Sequence, residues 1–346
     1  MDLFLLVCFI SMLIFIRPVG RGCQNDQYLS SDTTTYLSGF MAVGIILHHL
    51  SEAVPGGRFF PQLVHLGYLL VSVFFFLSGY GLMVQYRKKG SRYLEGFWKK
   101  RVLYIVLVYL WVSVAYAVVK ALTGTEMSLR IFFASFVNGS PVATNSWYVI
   151  VQVLLYAIFW FVFRFVPGSN HAKIAAVTVM EAVLAVLFSL LSYSSIWYLS
   201  NFAFAAGMLW AEEKEPIDLW LKKHWLTGEA LSLLVFVFFS GLPLIFSRVG
   251  IDFEWISVVC RFLSSTAFTV FLITAMRKIR PVGKIWKKIG EMSFEIYLMH
   301  GMVMLLLRKV IENDLLFAVS VIPVSLVVSW AASWIDHKLK KLVSSR

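Results

Sequence analysis

The feature that most limits what this chain can become is a succession of long stretches without charge, separated by gaps in which Lys and Arg collect. An apolar stretch of roughly 17 to 25 residues can cross a bilayer as a helix. By that measure eleven spans are expected, at about 3–16, 36–54, 64–86, 102–121, 146–163, 174–191, 196–211, 225–247, 255–276, 292–308 and 315–335. Composition agrees: 59% of the 346 residues are hydrophobic and 14% are charged, and the mean hydropathy is +0.78. A soluble domain of this length could not bury so much apolar surface, which leaves lipid as the solvent for most of it. The expected fold is all-α, a polytopic transmembrane helical bundle forming a single integral-membrane domain over residues 1–346. No internal repeat or low-complexity tract divides it, and the longest connections, 122–145 and 277–291, are too short to fold alone.

The formal net charge is +12. In a soluble protein that surplus would suggest nucleic acid; here the excess of Lys and Arg in cytoplasmic loops accounts for it, and no nucleic acid partner is expected. If the loop after the first span is cytoplasmic, that side holds Arg17 and Arg21, seven basic residues from Arg87 to Arg101, and Arg164 with Lys173. It also holds Lys214, Lys222 and Lys223, six from Arg277 to Lys288, and four from Lys338 to Arg346, leaving seven of the 31 for the other loops and the spans. The N-terminus is thus expected outside and the C-terminus in the cytoplasm. The first span, within an anchor segment 1–20, has no basic residue before it and no small-residue cleavage site after it. It reads as a retained anchor helix, not a cleaved signal peptide. Cys8, Cys23 and Cys260 are odd in number and scattered, which implies neither a disulfide framework nor a metal site, and no metal is expected.

Ionisable groups inside a bilayer are costly, so each marks a functional candidate. The densest set is Ile45-Ile46-Leu47-His48-His49-Leu50-Ser51-Glu52, where Glu52 follows His49 by three residues and His48 by four, on one helical face. A carboxylate there would orient an imidazole and stabilise its cation, as a general base requires. The competing reading is a group solvated at the outer interface. Thirteen residues from Tyr36, or about 20 Å of helix, put His49 in the outer half of the membrane. In the third span, Ser78-Gly79-Tyr80-Gly81 allows close helix packing or a bend. Ser78 has no acid or base beside it in sequence and is not cast as a nucleophile. Tyr148, Gln152 and Tyr156 recur every four residues, a polar stripe that must face a cavity or a neighbouring helix. Trp147 could equally be an interfacial anchor. The tenth span carries Ser293, Glu295, Tyr297 and His300, and Arg261, Glu181 and Glu229 are isolated charges in other spans. Lys99-Lys100-Arg101 serves either topology or the phosphates of a cytoplasmic cofactor.

Taken in order, these runs resemble the membrane-bound acyltransferase-3 family, bacterial proteins that acylate sugars and cell-envelope polymers. The resemblance is carried by Leu37-Ser38-Gly39-Phe40 through His49, by Phe74-Phe75-Phe76-Leu77-Ser78-Gly79-Tyr80-Gly81, by Asn145-Ser146-Trp147-Tyr148-Val149-Ile150, and by Ser293-Phe294-Glu295-Ile296-Tyr297-Leu298-Met299-His300. Lys100 and Arg101 fit a further family feature. The family-like core is expected over 28–340. Ser38 departs from the pattern, standing where the family has Arg or Lys, eleven positions before the histidine.

The resemblance implies an acyl-CoA-dependent O-acyltransferase. It would move an acyl group, most often acetyl, from cytoplasmic acyl-CoA to a hydroxyl of an envelope or exported glycan, or of a lipid-linked sugar, in the bacterial cytoplasmic membrane. His49 matches the family's catalytic histidine, with Glu52 as its orienter. Lys100, Arg101, Ser78 and Tyr80 are the candidates for the donor, and His48, Trp147, Tyr148, Gln152, Tyr156, Glu295, Tyr297 and His300 for the substrate. Two other classes stay open at this point: a transporter or flippase that uses intramembrane His and Glu for substrate or protons, and a subunit that positions another enzyme.

Overall fold

Each of the eleven apolar stretches coincides with a helix in the computed structural model, which describes residues 1–250 and 254–344. In chain order the helices are α1 (Asp2–Leu13), α2 (Ser31–Ala53), α3 (Gly67–Lys89), α4 (Tyr104–Leu122), the short α5 (Leu129–Ala134), α6 (Trp147–Phe165) and α7 (Asn170–Leu190). They continue with α8 (Phe202–Glu212), α9 (Lys214–Arg248), α10 (Glu254–Ala275), α11 (Lys284–Glu291), α12 (Ser293–Arg308) and α13 (Asp314–Ser344). Arg346, the last of the C-terminal basic run, lies outside the described residues.

Seven of these helices are long and apolar enough to cross a membrane, and the pair α11 and α12, bent by 77°, makes an eighth if it counts as one broken span. The expectation of eleven is therefore met in helices, of which seven or eight are long and apolar enough to cross alone. With 12, 11 and 16 residues, α1, α8 and α12 are too short to cross alone as straight helices. The 23 residues of α2 are long enough, but the polar start Ser31-Asp32-Thr33-Thr34-Thr35 and the run His48 to Glu52 dilute its apolar character.

Two helix contacts depend on glycine. A Cβ on Gly79 of α3 would lie 2.0 Å from the Phe204 carbonyl oxygen of α8, and one on Gly207 of α8 would lie 2.1 Å from the Phe76 carbonyl oxygen of α3. The glycines let the two backbones touch, so the short α8 is locked against the long α3. The same device joins α2 to α11, where a Cβ on Gly290 would lie 1.9 Å from the Thr35 carbonyl oxygen. Of the alternatives expected for the third span, Gly79 thus takes packing, while a Cβ on Gly81 would meet nothing within 4 Å.

The basic segments gather at one end of the bundle. Ile16–Pro18 (β1) pairs antiparallel with Ile279–Pro281 (β2), a two-stranded ribbon that the all-α expectation did not contain. Neither three-residue strand has a periodicity to reveal it; the pairing is made by two loops brought side by side. Next to it the wholly buried Arg277 donates to Asp218 at 2.6 Å and to the Gln24 amide oxygen at 2.8 Å, and lies over the Tyr28 ring. Tyr28 donates to Asp218 at 2.7 Å, and burial followed by that bond pushes its hydroxyl above the ordinary tyrosine range. Arg87 donates to the Ala211 carbonyl, Asn170 donates to Glu212, and Lys288, Lys338 and Lys340 line one pocket. At the far end, the Asp2 carboxylate accepts the backbone N–H groups of Arg58, Phe59 and Phe60, and Tyr193 donates to the Val137 carbonyl. Loops assigned to one side by charge are thus packed together on one side.

Candidate active site

The last two turns of α2 hold the histidine and carboxylate run. With side chains three and four apart on one face, the Glu52 carboxylate lies beside both imidazoles. One oxygen is 2.7 Å from His49 Nδ1 and the other 3.6 Å from His48 Nε2. A carboxylate at this distance accepts, so His49 carries its proton on Nδ1 and presents Nε2 as a base. His48 is turned the same way. Its Nδ1 donates to the Leu63 carbonyl at 3.0 Å, and its ring fills the space left by Gly67, where a Cβ would sit 2.3 Å from Nε2.

His300 reaches the same point from α12. Its ring stacks on that of His49, with centroids 5.1 Å apart and planes 20° apart. Its Nδ1 donates to the Ile296 carbonyl at 3.0 Å, and its Nε2 accepts from the Asn145 side-chain amide at 3.4 Å. Asn145, just before α6, also accepts the Tyr297 hydroxyl on its carbonyl at 2.5 Å. It does so with φ +70°, a left-handed backbone that asparagine tolerates better than most residues. Asn145 thereby fastens the start of α6 to α12 at the height of His49.

Two cavities meet here. The one at the far end, of about 700 Å³, is lined by His48, His49, Glu52, Asn145, Trp147 and Tyr297, with Arg261 and residues of α9 opposite. The one at the basic end, of about 690 Å³, is lined by Ser78, Tyr80, Tyr148, Tyr156 and Tyr297, with Ser38, Lys88 and Arg101. Tyr297 belongs to both. Its ring is 5.0 Å from that of Tyr148, which is 4.8 Å from Phe75, so aromatic rings form the wall between the cavities. The Ser78 hydroxyl lies 2.9 Å from that of Tyr156. Arg101 sits in a turn of π-helix, Trp98–Leu103, that opens the chain just before α4; such turns are frequent at functional sites.

Most of the residues singled out in the sequence therefore lie at one of the two cavities. Three do not. The Lys100 side chain turns back beside Gly96 and does not line the basic-end cavity. Gln152 is buried with no hydrogen-bond partner for its amide and lines neither cavity. Glu295 faces Asp336 and lines a separate pocket with Lys288 and Trp330. Conversely, Lys88 and Asn145 were given no role from sequence. Lys88 hid within a run of basic residues whose topology explained it, and Asn145 shows its part only through a backbone angle and a contact with α12.

Among the described residues, His48, His49 and Glu52 are the one set of three whose ligand atoms lie close enough to hold a metal ion, within 4.8 Å of one another. A cation would compete for the atoms that the Glu52 to His49 hydrogen bond already uses. As it stands, the arrangement is an imidazole hydrogen-bonded to a carboxylate and backed by a second histidine, beside a cavity that shares a wall with a cationic one. Residues 34–334 match a family model described as an acyltransferase domain. No curated protein and no solved structure matches the chain.

Proposed function

The chain belongs to the acyltransferase-3 family of membrane acyltransferases, and on that premise we propose that it transfers an acyl group, acetyl by preference, from cytoplasmic acyl-CoA to a hydroxyl of an envelope or exported glycan. The single observation that carries this reading is the back-to-back placement of the His49 and Glu52 cavity and the Lys88 and Arg101 cavity across Tyr297. In this reading the basic end is cytoplasmic, as the charge bias favours, and the membrane is the bacterial cytoplasmic one.

The basic-end cavity fits a CoA donor. Lys88 and Arg101 offer the charge that phosphates require, and Ser78, Tyr80 and Tyr156 offer hydroxyls to the amides of a pantetheine arm. Ser38, in the position where the family carries a cation, lines this same cavity. Lys88 supplies the missing charge from the end of α3.

At the far side of Tyr297, His49 Nε2 takes the proton of the acceptor hydroxyl as its oxygen attacks the thioester carbonyl carbon. The C–O bond forms, the C–S bond breaks, and the imidazolium returns the proton to the departing sulfur, leaving ester and free thiol. Glu52 holds the imidazole in the tautomer that exposes Nε2 and stabilises the cation between these two proton transfers.

The test is thiol release from acetyl-CoA by the purified full chain in the presence of candidate glycans. His49→Ala is expected to lower turnover by about 10² to 10⁴, the range for loss of a general base. No thiol release with any glycan, together with passage of a labelled lipid-linked sugar across vesicles, would replace this reading with transport. Undiminished function after His49→Ala would replace it with a positioning subunit.

A further inference from the structure

The proton transfer proposed above uses His49 and Glu52 and leaves His48 without a part. Yet His48 is aimed as deliberately as its neighbour. Its Nδ1 is tied to the Leu63 carbonyl at 3.0 Å, which leaves Nε2 as the nitrogen with a lone pair, 3.6 Å from one oxygen of Glu52. The other oxygen of that carboxylate is 2.7 Å from His49 Nδ1. A hydrogen bond from the far ring nitrogen to a backbone carbonyl is how metal-ligating histidines are held in orientation.

The ligand atoms of the three residues fall within 4.8 Å of one another. A zinc ion with bonds of about 2.0 to 2.2 Å holds its ligand atoms roughly 3.3 Å apart, so small side-chain turns on one stretch of α2 close the set. Two imidazoles and a carboxylate suit zinc and its neighbours in the first transition row, whereas magnesium and calcium prefer oxygen alone. All three side chains line the far-end cavity and none is fully buried, so an ion can reach them and water can complete the shell. Among the described residues Glu52 is the one acid lining this cavity, and Arg261 stands across it as an opposing positive charge. Three ligands facing a like charge favour an ion that comes and goes.

We propose that His48, His49 and Glu52 form a reversible site for a zinc-class divalent cation that silences the base. A neutral imidazole has one proton and one lone pair. Metal on His49 Nδ1 moves that proton to Nε2; metal on Nε2 takes the lone pair itself. Either way none remains for an acceptor hydroxyl, and Glu52, once a ligand, no longer steadies the imidazolium. In the orientation proposed above, the ion arrives from the outer face without crossing the membrane. The inhibition rests on the acyltransfer reading, whereas the metal site does not.

The full chain, without a histidine tag, is purified in detergent and stripped with EDTA. Isothermal titration calorimetry measures Zn²⁺ binding, and the visible absorption of Co²⁺ reports coordination number. One Zn²⁺ per chain is expected, with Mg²⁺ failing to compete. His48→Ala and Glu52→Gln are each expected to weaken zinc by about 100-fold, at or beyond the loss seen when only an outer partner of a ligand is removed. His171→Ala, whose ring pairs with Glu213 at the basic end, should leave binding unchanged. Thiol release from acetyl-CoA should fall in step with zinc occupancy and return with EDTA. The loss should appear in kcat and not in the KM for acetyl-CoA, because the donor cavity lies across Tyr297. No saturable binding, full affinity in both His48→Ala and Glu52→Gln, or lost binding in His171→Ala would each overturn the site. Saturated zinc with undiminished turnover would overturn its inhibitory role. Zinc bound by a chain that releases no thiol even when metal-free would sink the acyltransfer reading, and the inhibition with it, and leave the metal site standing.

Discussion

Three imidazoles converge at the end of α2, and what distinguishes them is the partner on Nδ1: a carboxylate for His49, backbone carbonyls for His48 and His300. Of the three, only His49 is hydrogen-bonded to a carboxylate on Nδ1 with its Nε2 left open, the arrangement on which its proposed role as base rests. Asn145 extends this support, holding His300 by its amide and Tyr297 by its carbonyl. Asn145→Gly separates the two roles of this residue, since glycine accepts the left-handed backbone without strain and removes the amide. Turnover is expected to fall about 10-fold, from loss of a hydrogen bond to a buried ring. The thermal midpoint should move by no more than about 3 °C. A large loss of stability without loss of turnover would show that Asn145 serves only the fold. The spacing of His49 and Glu52 was readable in the sequence because it is helical and local. The approach of His300 and Asn145 was not, because nothing in the order of residues says which helices are neighbours.

At the scale of elements, the site depends on helices that are too short to stand in a membrane unaided. With 11 residues α8 is held against α3 by the reciprocal contacts of Gly79 and Gly207, each facing a carbonyl of the other helix. Gly207→Ala forces a methyl group into the Phe76 carbonyl and should destabilise the protein by about 3 kcal/mol or more, since neither backbone can yield. Gly81→Ala, into open space, should stay within about 0.5 kcal/mol. Thermal unfolding in detergent compares them, and equal midpoints would mean that the α3 and α8 contact carries little of the stability. Gly79 and Gly81 were both visible as packing candidates in the third span, but a glycine that packs and one that borders a cavity look alike until the opposite wall is known. The π-helical turn that carries Arg101 was likewise invisible, because a run of Lys and Arg before an apolar helix reads first as topology.

For the molecule as a whole, the packing of all basic segments at one end turns a statistical bias into a geometric one. Cys23 lies at that end, beside the ribbon of β1 and β2, and is exposed, whereas Cys260 is buried and Cys8 is half-buried in α1. A membrane-impermeant maleimide is therefore expected to leave Cys23 unlabelled in intact cells and to label it after rupture. Labelling of Cys23 in intact cells would invert the orientation and remove the donor from the cytoplasmic side. The sequence by itself determined that this chain is helical and lives in lipid, which ends of its helices share a side, and that His49 and Glu52 share a helical face. Those are matters of hydropathy, charge bias and helical spacing, all carried by neighbouring residues. Only the tertiary structure decided that two cavities abut at Tyr297, that Lys88 rather than Lys100 joins Arg101, that Glu295 stands elsewhere, and that Arg261 faces the same space as His49. Such facts depend on which helices touch and how they are rotated, and in a bilayer almost every helix is apolar all round, so the hydrophobic pattern that would reveal an inward face in water is absent.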